Sequence, residues 1–445
     1  MSDFLKKTVT RRRLVQTTAA GIAIAGLPTA ASAAPASRIS APAVLKQDVQ
    51  KVRALMWSNS PTIDDHFKAR QDTFNQLQDG KIEIDLQLLP YDQYWQKIDL
   101  AYSASEPYDV YFWDVQAYGH YKNGLLLNLQ PMVDAAGLFD PAQYPVDHFD
   151  VWKLDGQNYF ALPENFQTMA LYYNKALFDE AGLTVPDDTW TWDQVIEAGT
   201  NLTKRDGDRV SQWGLSLGVM STWWGLQTRS WATGSAFVDQ IVEPAKLQFS
   251  DTTNVAVLKW AQDLINTQKI VPNPTQAAQS GDTVSFQSGR VAMNPGGSWD
   301  LAGNADLPFE WGMVPLPKVG DNRIVPYWMG GWVIPNASKV QQAAFEWARW
   351  SATDYQAQMA AEHDWIPIKN DARSSEAMFQ GMPSGFQAVT QALDTAKLGD
   401  FYTKNVQQIW NEVFTPNLDK LYNNDQSPED TAKSIDDAGN ALLVQ

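Results

Sequence analysis

The stretch LPENFQTMALYYNKALFDEAGL, residues 162–183, carries the clearest fold signal in this sequence. Its segment 169–173 is apolar and aromatic, which predicts a β-strand. Residues 174–181 predict a helix, and Gly182 stands where a helix stop is expected. A strand that leads directly into a helix is typical of α/β proteins.

The residues before this stretch predict three strands that alternate with helices. The strands are expected at residues 51–56, 81–88 and 108–112. One helix begins with a capping-box-like pair, Thr62 and Asp65, and the next covers residues 93–103. This alternation predicts βαβ units and a parallel sheet, in which ligands bind at the carboxyl ends of the strands.

The chain after residue 183 continues as α/β and then becomes largely helical. A capping box at residues 191–194 opens a helix, and residues 212–217 and 290–293 predict strands. An amphipathic helix is expected at residues 254–267, and helices dominate beyond residue 338. The 445 residues are long enough for two or three domain-sized cores.

Composition excludes several classes of function. The net charge of -17 argues against nucleic acid as a partner, because phosphates require a basic surface. The absence of cysteine excludes thiol nucleophiles, iron–sulfur clusters and cysteine-based zinc sites. The four histidines show no ligand spacing, so neither a metal nor a cofactor is expected. The informative excess is aromatic, with 19 Trp, 15 Tyr and 18 Phe.

Residues 1–33 predict a signal peptide. Lys6, Lys7 and residues 11–13 are basic, an alanine-rich apolar stretch follows, and residues 31–33 read A-S-A. Arginines before a leucine resemble a twin-arginine signal, and cleavage is expected near Ala33. A membrane anchor is the alternative, but the apolar stretch is shorter than the roughly 20 residues that a span needs. Residues 34–47 are expected to form a flexible leader.

A periplasmic location is expected for the exported protein. Without cysteine, no lipid can be attached through a thiol to tether the mature chain. A free exported protein is retained only where an outer membrane encloses the compartment.

Several segments resemble the bacterial extracellular solute-binding proteins of carbohydrate uptake, the family that includes maltose-binding protein. The strongest resemblance is in residues 162–183 and in PDDTWTWDQVIEAGTNLT, residues 186–203. Further similar segments lie at residues 108–129, 286–299, 314–339 and 366–371. Together the matches span most of the chain after the signal peptide, in the family's order.

The resemblance implies an α/β, bilobed periplasmic-binding-protein fold with a ligand cleft between the lobes. Lobe one would comprise residues 48–162 and 314–365, and lobe two residues 163–313 and 366–445. The chain would cross between them three times, near 162–163, 312–314 and 365–367. It also implies that the protein is a monomer that delivers a carbohydrate to the permease subunits of an ATP-driven (ABC) importer.

A sugar site needs flat aromatic rings for C–H faces and polar groups for hydroxyls. Residues that follow predicted strands, or lie at the implied crossings, have this composition. The predicted ligand-binding residues are Trp57, Ser58, Asn59, Trp113, Asp114, Gln116, Gln167, Trp223, Gly297, Trp299, Gly330, Gly331, Trp332 and Trp365. Further candidates are Glu164, Trp328, Tyr402 and Trp410.

The segment STWWGLQTRSW, residues 221–231, contains three indoles. On a helix, Trp224 and Trp231 share a face because they are seven residues apart, whereas Trp223 points about a quarter-turn away. We therefore expect Trp224 and Trp231 in the core and Trp223 against the ligand.

Other functions remain as alternatives. Within the binding class, the ligand could be a polyol or a phosphorylated or charged solute, which Arg229 or Arg323 in the cleft would favour. A glycoside hydrolase is the rival from another class, since acids and aromatics also line such clefts. The chain has no nucleophile elbow, H-E-x-x-H or phosphate-loop motif, so an enzyme is not expected.

Overall fold

The structure is a computed structural model. It describes residues 48–58, 60–113, 115–153, 156–207, 209–280 and 285–443, without the side chains of residues 92, 116, 150 and 278–280. The predicted signal peptide and leader, residues 1–47, lie outside the described residues.

Eleven strands are found in the described part of the chain. They are β1 (Gln50–Ser58), β2 (Ile82–Pro90), β3 (Val110–Trp113), β4 (Ala161–Asn174), β5 (Lys204–Asp206), β6 (Arg209–Leu215), β7 (Val291–Gly297), β8 (Trp311–Pro315), β9 (Pro326–Val333), β10 (Ile366–Pro367) and β11 (Lys397–Leu398).

Helices connect and cover these strands. The first ten are α1 (Pro61–Leu77), α2 (Tyr91–Ser103), α3 (Tyr118–Lys122), α4 (Gln130–Ala136), α5 (Lys175–Ala181), α6 (Trp192–Leu202), α7 (Trp223–Ala232), α8 (Thr252–Asn266), α9 (Pro274–Ser280) and α10 (Leu301–Asn304). The C-terminal part adds α11 (Gln341–Ala352), α12 (Gln356–Glu362), α13 (Asn370–Arg373), α14 (Glu376–Phe379), α15 (Phe386–Gln391), α16 (Val406–Gln408), α17 (Thr415–Tyr422) and α18 (Pro428–Leu443). A π-helical turn, Ile409–Phe414, joins α16 to α17.

The N-terminal βαβ prediction agrees with the structure. Strand β1 pairs in parallel with both β2 and β3, and α1 and α2 connect them in the expected order. The start of α1 differs from the prediction, because Ser60 caps it and Pro61 occupies its first turn. The Ser60 side chain accepts the Ile63 N–H, which satisfies one of the free amide groups at the helix start.

Strand β4 connects two groups of strands. Its residues 161–168 pair with β9, and its residues 169–174 pair with β7 and β8. Strands β7, β8 and β9 all run antiparallel to β4. The strand order of the sheet is β2-β1-β3-β9-β4-β7-β6-β5. One continuous strand therefore belongs to two groups of strands, one at each end.

The segments where the lobe crossings are predicted all lie on or beside β4. Residues 162–163 are within it, residues 312–314 are in β8, and Ile366–Pro367 form β10, which pairs with β4 at Phe166 and Asn165. The exact lobe boundaries stay predictions. Within the described residues, none of the helices combines the length and apolarity that crossing a membrane requires.

Candidate ligand-binding site

A cavity of about 300 Å³ opens where several strands end. Six tryptophans line it, together with one tyrosine and a few small or polar residues. The described lining residues are Trp57, Tyr91, Trp113, Gln167, Trp224, Trp299, Trp328, Met329, Gly330, Asp400 and Trp410.

Three indoles form one wall of this cavity. Trp224 is the second residue of α7, Trp299 follows β7, and Trp328 lies on β9. The Trp224 ring centroid is 5.1 Å from that of Trp328 and 6.1 Å from that of Trp299. The Trp299 and Trp328 centroids are 5.8 Å apart, and all three pairs meet edge to face. None of the three indoles is fully buried, so each retains surface for a ligand.

A second aromatic group lines another side of the cavity. Trp57 is the last but one residue of β1 and packs edge to face on Tyr91, with 5.4 Å between the ring centroids. Trp113 ends β3 and packs on Phe160 at 4.6 Å. These rings stand at the carboxyl ends of parallel strands, where the sequence places a ligand.

Polar groups are few and carry no positive charge. Gln167 projects from β4, and the Asp400 carboxylate is 3% exposed. Among the described lining residues there is no lysine or arginine. Arg229 instead lies 4.1 Å over the Trp260 ring, and Arg323 donates to backbone carbonyls of Leu316 and Asp188.

Two glycines make room for the Trp299 and Trp328 rings. A Cβ on Gly297 would collide with the Trp299 ring, and one on Gly399 would collide with the Trp328 ring. Only a glycine allows each ring to lie flat on the backbone at these points. Gly297 therefore positions Trp299 rather than facing the cavity itself.

The two other predicted glycines are required by packing. A Cβ on Gly330 would strike the Phe112 ring, and one on Gly331 would strike the Leu162 carbonyl. Gly330 lines the cavity, whereas Gly331 is not among the lining residues.

Several predicted ligand residues are placed away from the cavity. Trp332 and Trp365 are fully buried in the core, and both pack on Phe112, at 5.0 and 5.3 Å. Helix α11 covers Trp332 through Trp347, which is why this strand residue does not reach the cavity. The Ser58 hydroxyl donates to Asp64 in the first turn of α1.

Three further predicted residues cannot be placed with their side chains. Asn59 and Asp114 lie outside the described residues, and so does the side chain of Gln116.

The three indoles of residues 221–231 divide differently from the expectation. Trp224 lines the cavity, whereas Trp223 is 3% exposed and packs on Phe401 and Phe414. The buried face of α7 includes Trp223, Leu226 and Ser230, so it is not the face that Trp224 and Trp231 share. Trp231 is half-buried beside the Lys397 ammonium group.

Glu164, a further candidate, belongs to a buried ion pair. Its carboxylate accepts from Arg70 at 2.7 Å and from the Trp332 indole, and neither charged side chain is exposed. Burial lowers the pKa of Arg70, but the Glu164 charge and its hydrogen bond outweigh burial, and that pKa is raised. No local sequence pattern predicts this pair, because the two residues are 94 positions apart.

Asp300 lies directly behind the cavity. Its carboxylate accepts the Gly297 N–H at 3.2 Å and so holds the turn that carries Trp299. Burial raises the pKa of Asp300 to about 6, although this hydrogen bond acts in the opposite direction.

Within the described residues, one group has the composition of a metal site. Ligand atoms of His66, Glu362 and Asp364 lie within 4.8 Å of one another. His66 and Asp364 are hydrogen bonded at 2.7 Å, which is the main reason that the pKa of His66 is raised, and Glu362 accepts from Tyr355. Because the Arg70 charge stands nearby and opposes a cation, we describe the group as a hydrogen-bond network.

Tyr91, Met329 and Asp400 line the cavity but were not predicted. Tyr91 directly follows β2, so the strand-end rule that selected Trp57 would also have found it. Asp400 comes shortly after β11, a two-residue strand that is too short to give a sequence pattern, and the cavity residue Trp410 lies in the π-helical turn. Tyr402, another further candidate, is buried against Tyr118.

The chain belongs to the bacterial extracellular solute-binding protein family, whose model matches residues 58–358. An arabinooligosaccharide-binding protein of Bacillus subtilis (strain 168) is 24% identical over 290 residues. That alignment covers 60% of this chain and 61% of the relative, so the chain spans about three fifths of the relative's length.

Solved structures share the fold. An ABC substrate-binding protein of Listeria monocytogenes, in complex with cycloalternan, matches 89% of this chain and 99% of its own, with a TM-score of 0.80 and 20% identity. The MalE maltose/maltodextrin-binding domain of Bdellovibrio bacteriovorus, bound to maltotriose, gives 0.72 and 14%, covering 89% and 100%. The predicted bilobed periplasmic-binding fold is confirmed by these matches.

Proposed function

We propose that this chain captures a neutral carbohydrate of two or more units in the tryptophan-lined cavity and delivers it to an ABC importer. The observation that carries the proposal is the composition of the cavity: six indoles with one amide and one carboxylate. Indole faces pack on the C–H faces of sugar rings, while Gln167 and Asp400 take their hydroxyls. The relative named for arabinooligosaccharides and the solved structures bound to cycloalternan and maltotriose support this class of ligand.

Lobe closure would couple binding to delivery. The cavity takes Trp57 and Trp113 from predicted lobe one, and Trp224 and Trp299 from predicted lobe two. A ligand that touches both groups stabilises the closed form, because only that form makes both sets of contacts. The importer would then recognise the closed form of a monomer.

Export through a twin-arginine signal, cleaved near Ala33, and residence in the periplasm belong to the same proposal. The family's extracellular character supports export. Mass spectrometry of the protein recovered from a periplasmic fraction tests the cleavage position and the compartment together.

A polyol, a phosphorylated solute or another charged solute is the alternative ligand. The described lining residues offer no cation to pair with a phosphate, which favours a neutral sugar. Calorimetry with arabinose and maltose oligosaccharides, polyols and sugar phosphates separates these classes. Tightest binding of a sugar phosphate would contradict the proposal.

The site assignment needs its own control. Replacing Trp299 by alanine should weaken sugar binding at least tenfold, because it removes a stacking face. Trp190 is also half-buried but lines neither this cavity nor the larger cavity beside it, so Trp190→Ala should leave the affinity within about twofold.

Chromatography of the incubated oligosaccharides tests for hydrolysis, and cleavage products would favour the glycosidase instead.

A further inference from the structure

A second cavity adjoins the tryptophan-lined one. It has a volume of about 480 Å³ and is therefore the larger of the two. Trp224 and Trp410 line both cavities, so the two spaces meet at these rings. The second cavity lies between the start of α7, the end of α8, α9 and the segment from the π-helical turn into α17.

From this arrangement we infer that the second cavity holds additional sugar units of an oligosaccharide whose first units occupy the tryptophan-lined cavity. The inference rests on the proposed function and extends it from a class of ligand to a chain length. A volume of about 300 Å³ is at the lower limit for small-molecule sites, so the first cavity alone suits a short saccharide.

The walls of the second cavity have the dual character that a sugar requires. Ile265 and Pro272 supply apolar surface, while Ser221, Asn411 and Thr415 supply polar groups. Asn411 and Thr415 are exposed at positions four residues apart, so they lie on one face of the segment that borders the cavity.

The test fills the second cavity. Calorimetry measures the affinity for two series, arabinose to arabinotetraose and glucose to maltotetraose. In at least one series, the tetrasaccharide should bind the unaltered protein at least tenfold more tightly than the disaccharide. Thr415→Trp places a large ring at the cavity and should remove this gain while leaving disaccharide binding unchanged. Thr200→Trp, at an exposed site on α6 that lines neither cavity, is the matched control and should keep the gain.

The outcomes separate this inference from the proposed function. If no saccharide of either series binds, the proposed function fails and the inference fails with it. If disaccharides bind but tetrasaccharides gain nothing, or if Thr415→Trp weakens both equally, only the inference fails. Two disaccharides bound per chain would also overturn it, because the cavities would then be separate sites.

Discussion

Replacing Arg70 by methionine should destabilise this protein more than most single substitutions do. Arg70 lies between the Phe67 and Tyr355 rings, 4.6 and 4.3 Å from its guanidinium carbon, and pairs with Glu164. Neither side chain of the pair is exposed. Methionine preserves much of the packing volume but leaves the Glu164 carboxylate buried without its cation. Breaking such a pair costs about 3–5 kcal/mol.

The assay is urea unfolding at pH 7, followed by tryptophan fluorescence. Arg70→Met should lower the free energy of unfolding by about 3–5 kcal/mol. The control is Arg349→Met, because Arg349 forms a half-exposed pair with Glu346 that is worth about 0–1 kcal/mol.

A double-mutant cycle tests whether the two charges act as a pair. Arg70→Met combined with Glu164→Gln should cost less than the two single losses together, by about 2 kcal/mol, because the double variant leaves no buried charge unpaired. A loss no larger than that of Arg349→Met, or strict additivity in the cycle, would refute the reasoning.

Three other predictions concern the cavity and its surroundings. The pKa of Asp300 in the folded protein, about 6, lies above its ordinary value of 3.8. Between these two pH values the folded state binds more protons than the unfolded state, so stability falls as the pH rises through that window. Asp300→Asn should flatten this dependence in thermal unfolding measured from pH 4 to 7, and an unchanged profile would contradict it. Trp328→Ala should weaken sugar binding about tenfold in calorimetry, because Trp328 packs on both Trp224 and Trp299; an affinity within twofold would contradict this. Glu243 accepts from Lys122 at 2.9 Å between the predicted lobes. Glu243→Gln should therefore reduce ligand affinity by up to about fivefold, and the reduction should be smaller at high salt because salt screens the ion pair. A reduction that does not change with salt would count against an ionic contact.

Local sequence patterns predicted the elements that are built from neighbouring residues. The βαβ unit formed by β1, β2 and β3 follows from alternating strand and helix patterns, and the capping box at Thr191 and Gln194 is present. The strand-end rule also selected Trp57, Trp113 and Trp299, which line the cavity, and their contact with a ligand stays a prediction. These agreements share a cause, because each depends on periodicity or on the direction of one strand.

The differences between the expected and the observed positions depend on contacts between distant segments. Trp332 follows a strand pattern like that of Trp328, but only the position of α11 shows that it is covered. The assignment of Trp223 and Trp224 depends on which face of α7 packs inward, and the three-dimensional neighbours Phe401 and Phe414 decide that. A sequence shows the spacing of indoles along a helix but not the partner on each face.

One irregularity in β4 connects stability to the ligand site. The pairing register with β9 shifts between Pro163 and Asn165, which leaves Glu164 as the extra residue. Such a bulge redirects a side chain and increases the local twist. Glu164 therefore turns into the core, where its carboxylate pairs with Arg70. The backbone carbonyl of Glu164 accepts from the side-chain amide of Gln356. The oxygen of that amide in turn accepts the Ile368 N–H beside β10.

The strand then continues to Gln167, which reaches the cavity three residues later. The ion pair thus fixes the part of β4 from which Gln167, the proposed amide contact, projects, next to two of the predicted lobe crossings. Weakening it should disturb ligand geometry as well as folding, since positions in a binding site must be held closely by the side chains behind them. Arg70→Met should therefore lower sugar affinity even where the protein remains folded, whereas Arg349→Met should not.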